Sequence, residues 1–138
     1  MRFFSLLLFF SIMAGCTGSE DETDDAGAMS ETALAATLSS IQTNIFTPTC
    51  ATSGCHSGGG PAASLDLSDG SSFSNLVDVA SAQDFTQLRV RRSDPDNSYL
   101  VKKIEGNAGT QMPRGGSPLS SIEVRAIRDW ITNGAENN

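Results

Sequence analysis

An all-α domain is what this sequence predicts, on three observations. Apolar residues recur at helical spacing towards both ends, Leu34, Leu38, Ile41 and Ile45 at one and Ile122, Ala126, Ile127, Trp130 and Ile131 at the other. No run alternates apolar and polar residues as a half-buried strand does. The stretch between is punctuated by Gly, Pro, Ser and Asp, which forbids long regular structure.

The first fifteen of the 138 residues read as an export signal, with Arg2 ahead of an apolar run from Phe3 to Met13. Eleven helical residues span about 16 Å, roughly half a bilayer core, so a spanning helix is excluded. Met13-Ala14-Gly15-Cys16 resembles a bacterial lipobox, with Met where Leu is usual. In that motif the chain is cut before the Cys, which is then lipidated. An ordinary secretory cut near Ala14 is the other reading. Residues 16–30 form a polar, acidic tether, TGSEDETDDAGAMS after Cys16, kept extended by like-charge repulsion and reaching at most about 50 Å. Several acyl chains hold a protein stably at a membrane where one does not. Thr17, rather than Asp, after the lipidated Cys points to the outer membrane of a bacterial envelope, with the domain facing the periplasm.

The tether also accounts for the net charge of −7. Six of the sixteen acids precede Thr32, and the remaining ten face eight bases, so the domain itself is near −2. The acidity belongs to the tether rather than to a binding face. With no basic run and no cluster of stacking aromatics, nucleic acid is not an expected partner.

The domain spans residues 31–138. Ser30 is placed to cap a helix from about Glu31 to Phe46, which Pro48 stops just ahead of Cys50. Residues 53–72, with Gly58-Gly59-Gly60-Pro61, read as a loop, and a short helix is expected near Ser74 to Val79. Asp94-Pro95 looks like a helix start. Leu100, Val101 and Ile104 supply that helix's apolar face, and Gly106 its stop. The last helix is the best marked: Ser120 and Glu123 form a capping box, Leu119 and Val124 a hydrophobic staple, and Gly134 the end. Arg125 and Arg128 fall on its solvated side. Two terminal helices and one short one cannot enclose some forty irregular residues unless something fills the centre.

Residues 50–56 read Cys-Ala-Thr-Ser-Gly-Cys-His. The usual covalent haem signature has two Cys separated by two residues and followed at once by His; here four small residues separate them, giving CxxxxCH, and would let the extra backbone bulge outwards. With Cys16 consumed by lipid, Cys50 and Cys55 are the remaining thiols of an oxidising compartment. His56 is the single His. A second axial ligand to iron cannot then be His, and Met112, in Gln111-Met112-Pro113-Arg114-Gly115-Gly116, is the thioether placed for it, Met29 lying in the tether. A disulfide between Cys50 and Cys55 would also account for the thiols, though not for the adjacent His. A zinc site would lack a visible fourth ligand. Met112 could equally be core filler.

The order of these features resembles class I c-type cytochromes: an N-terminal helix, CxxxxCH, a wrapping loop, a Met-Pro loop and a C-terminal helix carrying an aromatic. The stretches CHSGGGPAASLDLS, DPDNSYLVKKIEG, MPRGG and LSSIEVRAIRDWITNGA carry the likeness, over roughly Ile41 to Ala135. The resemblance implies a cytochrome c-like fold, with the terminal helices packed together and long loops wrapping one covalent haem c. By it, Cys50 and Cys55 are the thioether positions, His56 the proximal ligand and Met112 the distal one. Phe46 and Trp130 would occupy the aromatic contact between terminal helices, and Pro61 would offer a carbonyl to the His56 ring. Among Arg89, Arg91, Arg92, Lys102 and Tyr99, otherwise solvated or packing residues, some would meet the propionates.

The function implied is a one-electron carrier for a redox protein partner, not an enzyme, since no nucleophile with a partner base exists beyond His56. Two alternatives stand beside it. One is a haem-based small-ligand sensor or peroxidase with a labile Met112. The other is a non-redox binding lipoprotein closed by a Cys50–Cys55 disulfide.

Overall fold

The computed structural model describes residues 33–138. The expected signal, the lipidated Cys16, the tether and the Ser30 cap lie outside the described residues. Among those described the protein is helical and irregular, an all-α arrangement without a β-strand. No helix there is long and apolar enough to cross a membrane.

Helix α1 (Leu38–Ile41) is capped by Thr37, whose hydroxyl accepts from the Ser40 amide at 3.2 Å. The expected start at Glu31 lies outside the described residues; residues 33–37 are not helical, and Leu34 packs on the core from the approach to the helix. The helix does not stop before Pro48 either. It widens into a π-helix, Gln42–Cys50, with Pro48 exposed inside it and the Ala51 amide donating to the Phe46 carbonyl at 2.7 Å. Proline breaks an α-helix by clashing with the carbonyl four residues back; the wider π winding moves that carbonyl out of line, so the helix runs on to Cys50.

The loop that follows contains one 3₁₀ turn, Ala62–Ser64, and α2 (Ser72–Leu76) begins two residues before the expected short helix. Two isolated bridges, Val77 with Val90 and Ala80 with Leu88, tie the next stretch together without forming a sheet. Asp94-Pro95 starts a turn rather than a helix. The Asp94 carboxylate takes the Asn97 side-chain amide at 2.9 Å, and the Ser98 hydroxyl donates to the Asp94 carbonyl at 2.8 Å. Helix α3 (Tyr99–Ile104) therefore begins after Ser98, and Gly106, at φ +80°, follows its end.

Helix α4 (Ser121–Thr132) matches its sequence signal. The Glu123 carboxylate accepts from the Ser120 amide at 2.8 Å, and the Ser120 hydroxyl accepts from the Glu123 amide at 3.3 Å. Its apolar side, Ala126, Ile127, Trp130 and Ile131, is buried, and Ile127, Trp130 and Ile131 share one core with Ile41, Ile45 and Phe46 of the first helical segment. Arg128 is less solvated than expected: it pairs with Glu105 at 2.9 Å and with Asp96, linking α4 to the ends of α3. Those hydrogen bonds, Asp96 first, hold its guanidinium above the usual range.

Two polar side chains, Gln42 buried and Arg92 exposed, fix the loops against this core. Gln42 donates to the Leu67 carbonyl at 2.9 Å and to the Thr47 hydroxyl at 3.0 Å, and accepts from the Ser72 hydroxyl at 2.6 Å. Arg92, stacked 5.6 Å from the Phe73 ring, bonds Asp78 at 2.9 Å and the Gly134 carbonyl at 2.8 Å.

Candidate functional site

The π-helix delivers Cys50 half-buried at its last position. Thr52, Ser53 and Gly54 then bulge into solvent, with Gly54 at φ +79° and the Cys55 amide closing a turn on the Thr52 carbonyl at 3.0 Å. That left-handed position suits glycine, which lacks the Cβ that would clash there. The chain returns so that the His56 amide donates to the Cys50 carbonyl at 3.1 Å. The four-residue interval is thereby looped out, and Cys50 and His56 stay neighbours.

The His56 ring is held from the far side of the loop. Its Nδ1 lies 3.3 Å from the Leu65 carbonyl, not from Pro61, whose carbonyl accepts from the Ser64 amide instead. The Leu67 amide also donates to the His56 carbonyl at 2.8 Å, so ring and backbone are tied to one segment.

Met112 follows α3 and a loop anchored back onto that helix. Its amide donates to the Lys103 carbonyl at 2.9 Å, Lys103 Nζ bonds the Ala108 and Thr110 carbonyls, and Gln111 bonds the Ile104 carbonyl at 2.8 Å. The Met112–Pro113 peptide is cis.

Cys50, His56 and Met112 line one cleft, walled by Leu65, Leu67, Leu76 and Ile104, with about 620 Å³ free of protein atoms including its solvent-open part. Cys55 is exposed and outside that lining, though adjacent to His56. Both thiols are free. Burial first, then the charge of Glu123 and the neighbouring Cys55, pushes the Cys50 thiol up to about 11. Among the described residues no group of three or more His, Cys, Asp and Glu is placed to hold a metal ion. The donors that share this cleft are a thiol, an imidazole and a thioether, a set whose chemistry suits haem iron.

Two buried polar residues, Arg89 at the cleft and Gln42 away from it, carry no clear sign of burial in the sequence. Arg89, grouped there with solvated cations, is 8% exposed and lowered by that burial. It donates to the carbonyls of Asn75 at 2.8 Å, Ala63 at 2.9 Å and Ser64 at 3.1 Å. For Gln42 the available sequence signal is a polar residue directly after Ile41 of the apolar stripe. Tyr99 lines the cleft, and its hydroxyl donates to Gln83 at 3.3 Å. Lys102 bonds Gln87 at 2.7 Å.

Comparison with protein-family models, with curated proteins and with solved structures returns no match.

Proposed function

We propose that this chain is a monohaem c-type cytochrome of cytochrome c-like fold, carrying single electrons rather than catalysing a reaction. The observation that carries the reading is that Cys50, His56 and Met112, drawn from two segments some sixty residues apart, line a single apolar cleft. When bound there, one haem c would supply a one-electron iron couple.

The residues divide the work. Cys50 and Cys55 are the thiols for covalent attachment. A carbonyl can only accept, so Nδ1 of His56 carries the proton towards Leu65 and Nε2 keeps the lone pair that a metal needs. Met112 offers a soft thioether, which favours the reduced ion. The leucine walls make the cleft apolar, which disfavours the more charged state. The anchored Met112 loop supports a ligand that stays bound, and hence a carrier over a sensor. The lipid on Cys16 would hold the domain at a bacterial outer membrane, facing the periplasm, where a tether raises its effective concentration towards a redox protein partner.

The test is a pyridine haemochrome spectrum of the full chain exported in a host with haem-attachment machinery. A c-type spectrum that survives acid-acetone extraction is expected. Failure to retain haem in a host that matures a CxxxxCH control overturns the reading and leaves the disulfide-closed binding lipoprotein.

A further inference from the structure

The sequence 62–65 has an unusual backbone for its composition. Ala63 and Ser64 both sit in the left-handed region, at φ 55° and 53°, where a Cβ is disfavoured and glycine is usual. Neither is Gly, and both are exposed, so local packing does not impose the conformation. Their carbonyls are fixed from inside the protein by Arg89 Nη2, at 2.9 and 3.1 Å, while Nη1 of the same guanidinium donates to the Asn75 carbonyl in α2 at 2.8 Å. Arg89 is itself pinned through its backbone, its amide to Val79 at 2.7 Å and its carbonyl to Leu100 at 2.9 Å. Among the described residues no carboxylate pairs with it. Its three side-chain hydrogen bonds all go to backbone carbonyls. The residue directly after the strained pair is Leu65, whose carbonyl faces His56 Nδ1 at 3.3 Å.

We propose that Arg89 is a positioning residue for His56: its rigid fork holds the Ala63-Ser64 turn in the left-handed region and thereby presents the Leu65 carbonyl to the imidazole. The inference deepens the haem reading and rests on it for its redox consequence. A planar guanidinium reaches two carbonyl groups in one direction and a third in another, which a lysine ammonium at the same point cannot reproduce with the same geometry. The hydrogen bond it preserves fixes the tautomer and makes the imidazole a stronger donor, which favours the oxidised ion.

The full chain and its Arg89→Lys and Arg89→Gln variants decide it, with Ser120→Ala as a control that removes a remote helix cap. The first readout is the ring ¹⁵N shifts of His56 in haem-free protein, and the second the midpoint potential of haem-loaded protein. Expected are a shift of the ring from the Nδ1-protonated form towards the mixture of an exposed histidine in both Arg89 variants, a rise in potential, and neither change in the control. Ring shifts and potential equal to the parent chain overturn the proposal. So does a loss of melting temperature alone, which makes Arg89 merely structural. A parent chain that takes up no haem overturns the cytochrome reading instead, and the ring shifts then decide the positioning role by themselves.

Discussion

His56 Nδ1 lies 3.3 Å from the carbonyl oxygen of Leu65, across a loop that leaves the ring at His56 and returns to it nine residues later. The loop carries Gly58-Gly59-Gly60-Pro61, yet its two ends are fixed: the Ala62 amide donates to the Cys55 carbonyl at 2.8 Å, and the Leu67 amide to the His56 carbonyl at 2.8 Å. A flexible composition is thus compatible with a well-oriented imidazole, because orientation comes from the anchors at its base.

Removing the thioether tests the second axial position. In Met112→Ala, loaded with haem, the midpoint potential is expected to fall by an appreciable part of the roughly 0.8 V that axial ligands command. The spectrum should change to that of an iron with one open position, able to take added imidazole. Redox titration with visible spectroscopy measures both. An unchanged spectrum would assign Met112 to packing and favour the sensor alternative.

Gln42 tests how the loops are held. Gln42→Ala leaves the Leu67 carbonyl and the Ser72 hydroxyl without their buried partner. A cost of about 1–3 kcal/mol is expected for such orphaned groups. Urea denaturation should show a lower midpoint with the slope retained, and a variant as stable as the parent would show that water takes over both bonds.

Helix capping gives a smaller, local effect. Ser120→Ala removes one half of the capping box on α4, at an expected cost of about 1 kcal/mol. Thermal unfolding checks it, and Ser120→Asp should recover most of the loss.

The Cys50 thiol makes stability depend on pH in the haem-free protein. Its value in the fold, about 11, lies above the ordinary 9.0, chiefly through burial. Folding therefore favours the protonated thiol. The associated stability is fully present below pH 9 and is lost as pH rises towards 11. Denaturation midpoints should decline over that window, and Cys50→Ala should flatten the decline. At pH 8 iodoacetamide should alkylate exposed Cys55 before Cys50, as peptide mapping would record.

What could be read from the chain was what is encoded within a few residues. Ser120 and Glu123 announce α4 because each satisfies the other's backbone, and Gly106 ends α3 where the pattern placed it. The CxxxxCH stretch and Met112 stand out in the sequence, and the structure brings Cys50, His56 and Met112 to one cleft. The misreadings share a cause. Leu34 fits the helical period yet lies before the Thr37 cap, and Asp94-Pro95 carries a helix-start signature that the Ser98 hydroxyl diverts into a turn. Arg89 looked like surface because charge is usually solvated. Its partners are carbonyls 14 to 26 residues away, and backbone acceptors leave no mark on a sequence.

The π-helix that ends at Cys50 has a bearing on how this segment can vary in length. Winding with a longer repeat than an α-helix sets Cys50 at an angle around the helix axis, relative to Ile41, that α-helical winding would not reproduce. Deleting one residue between Gln42 and Thr49 would let the segment relax towards α-helical winding, where each residue turns the chain by about 100°. Cys50 would then leave the register that brings it to the cleft, while Ile41 and Ile45 kept their places in the core. Indels here would separate a protein that folds from one that can be matured.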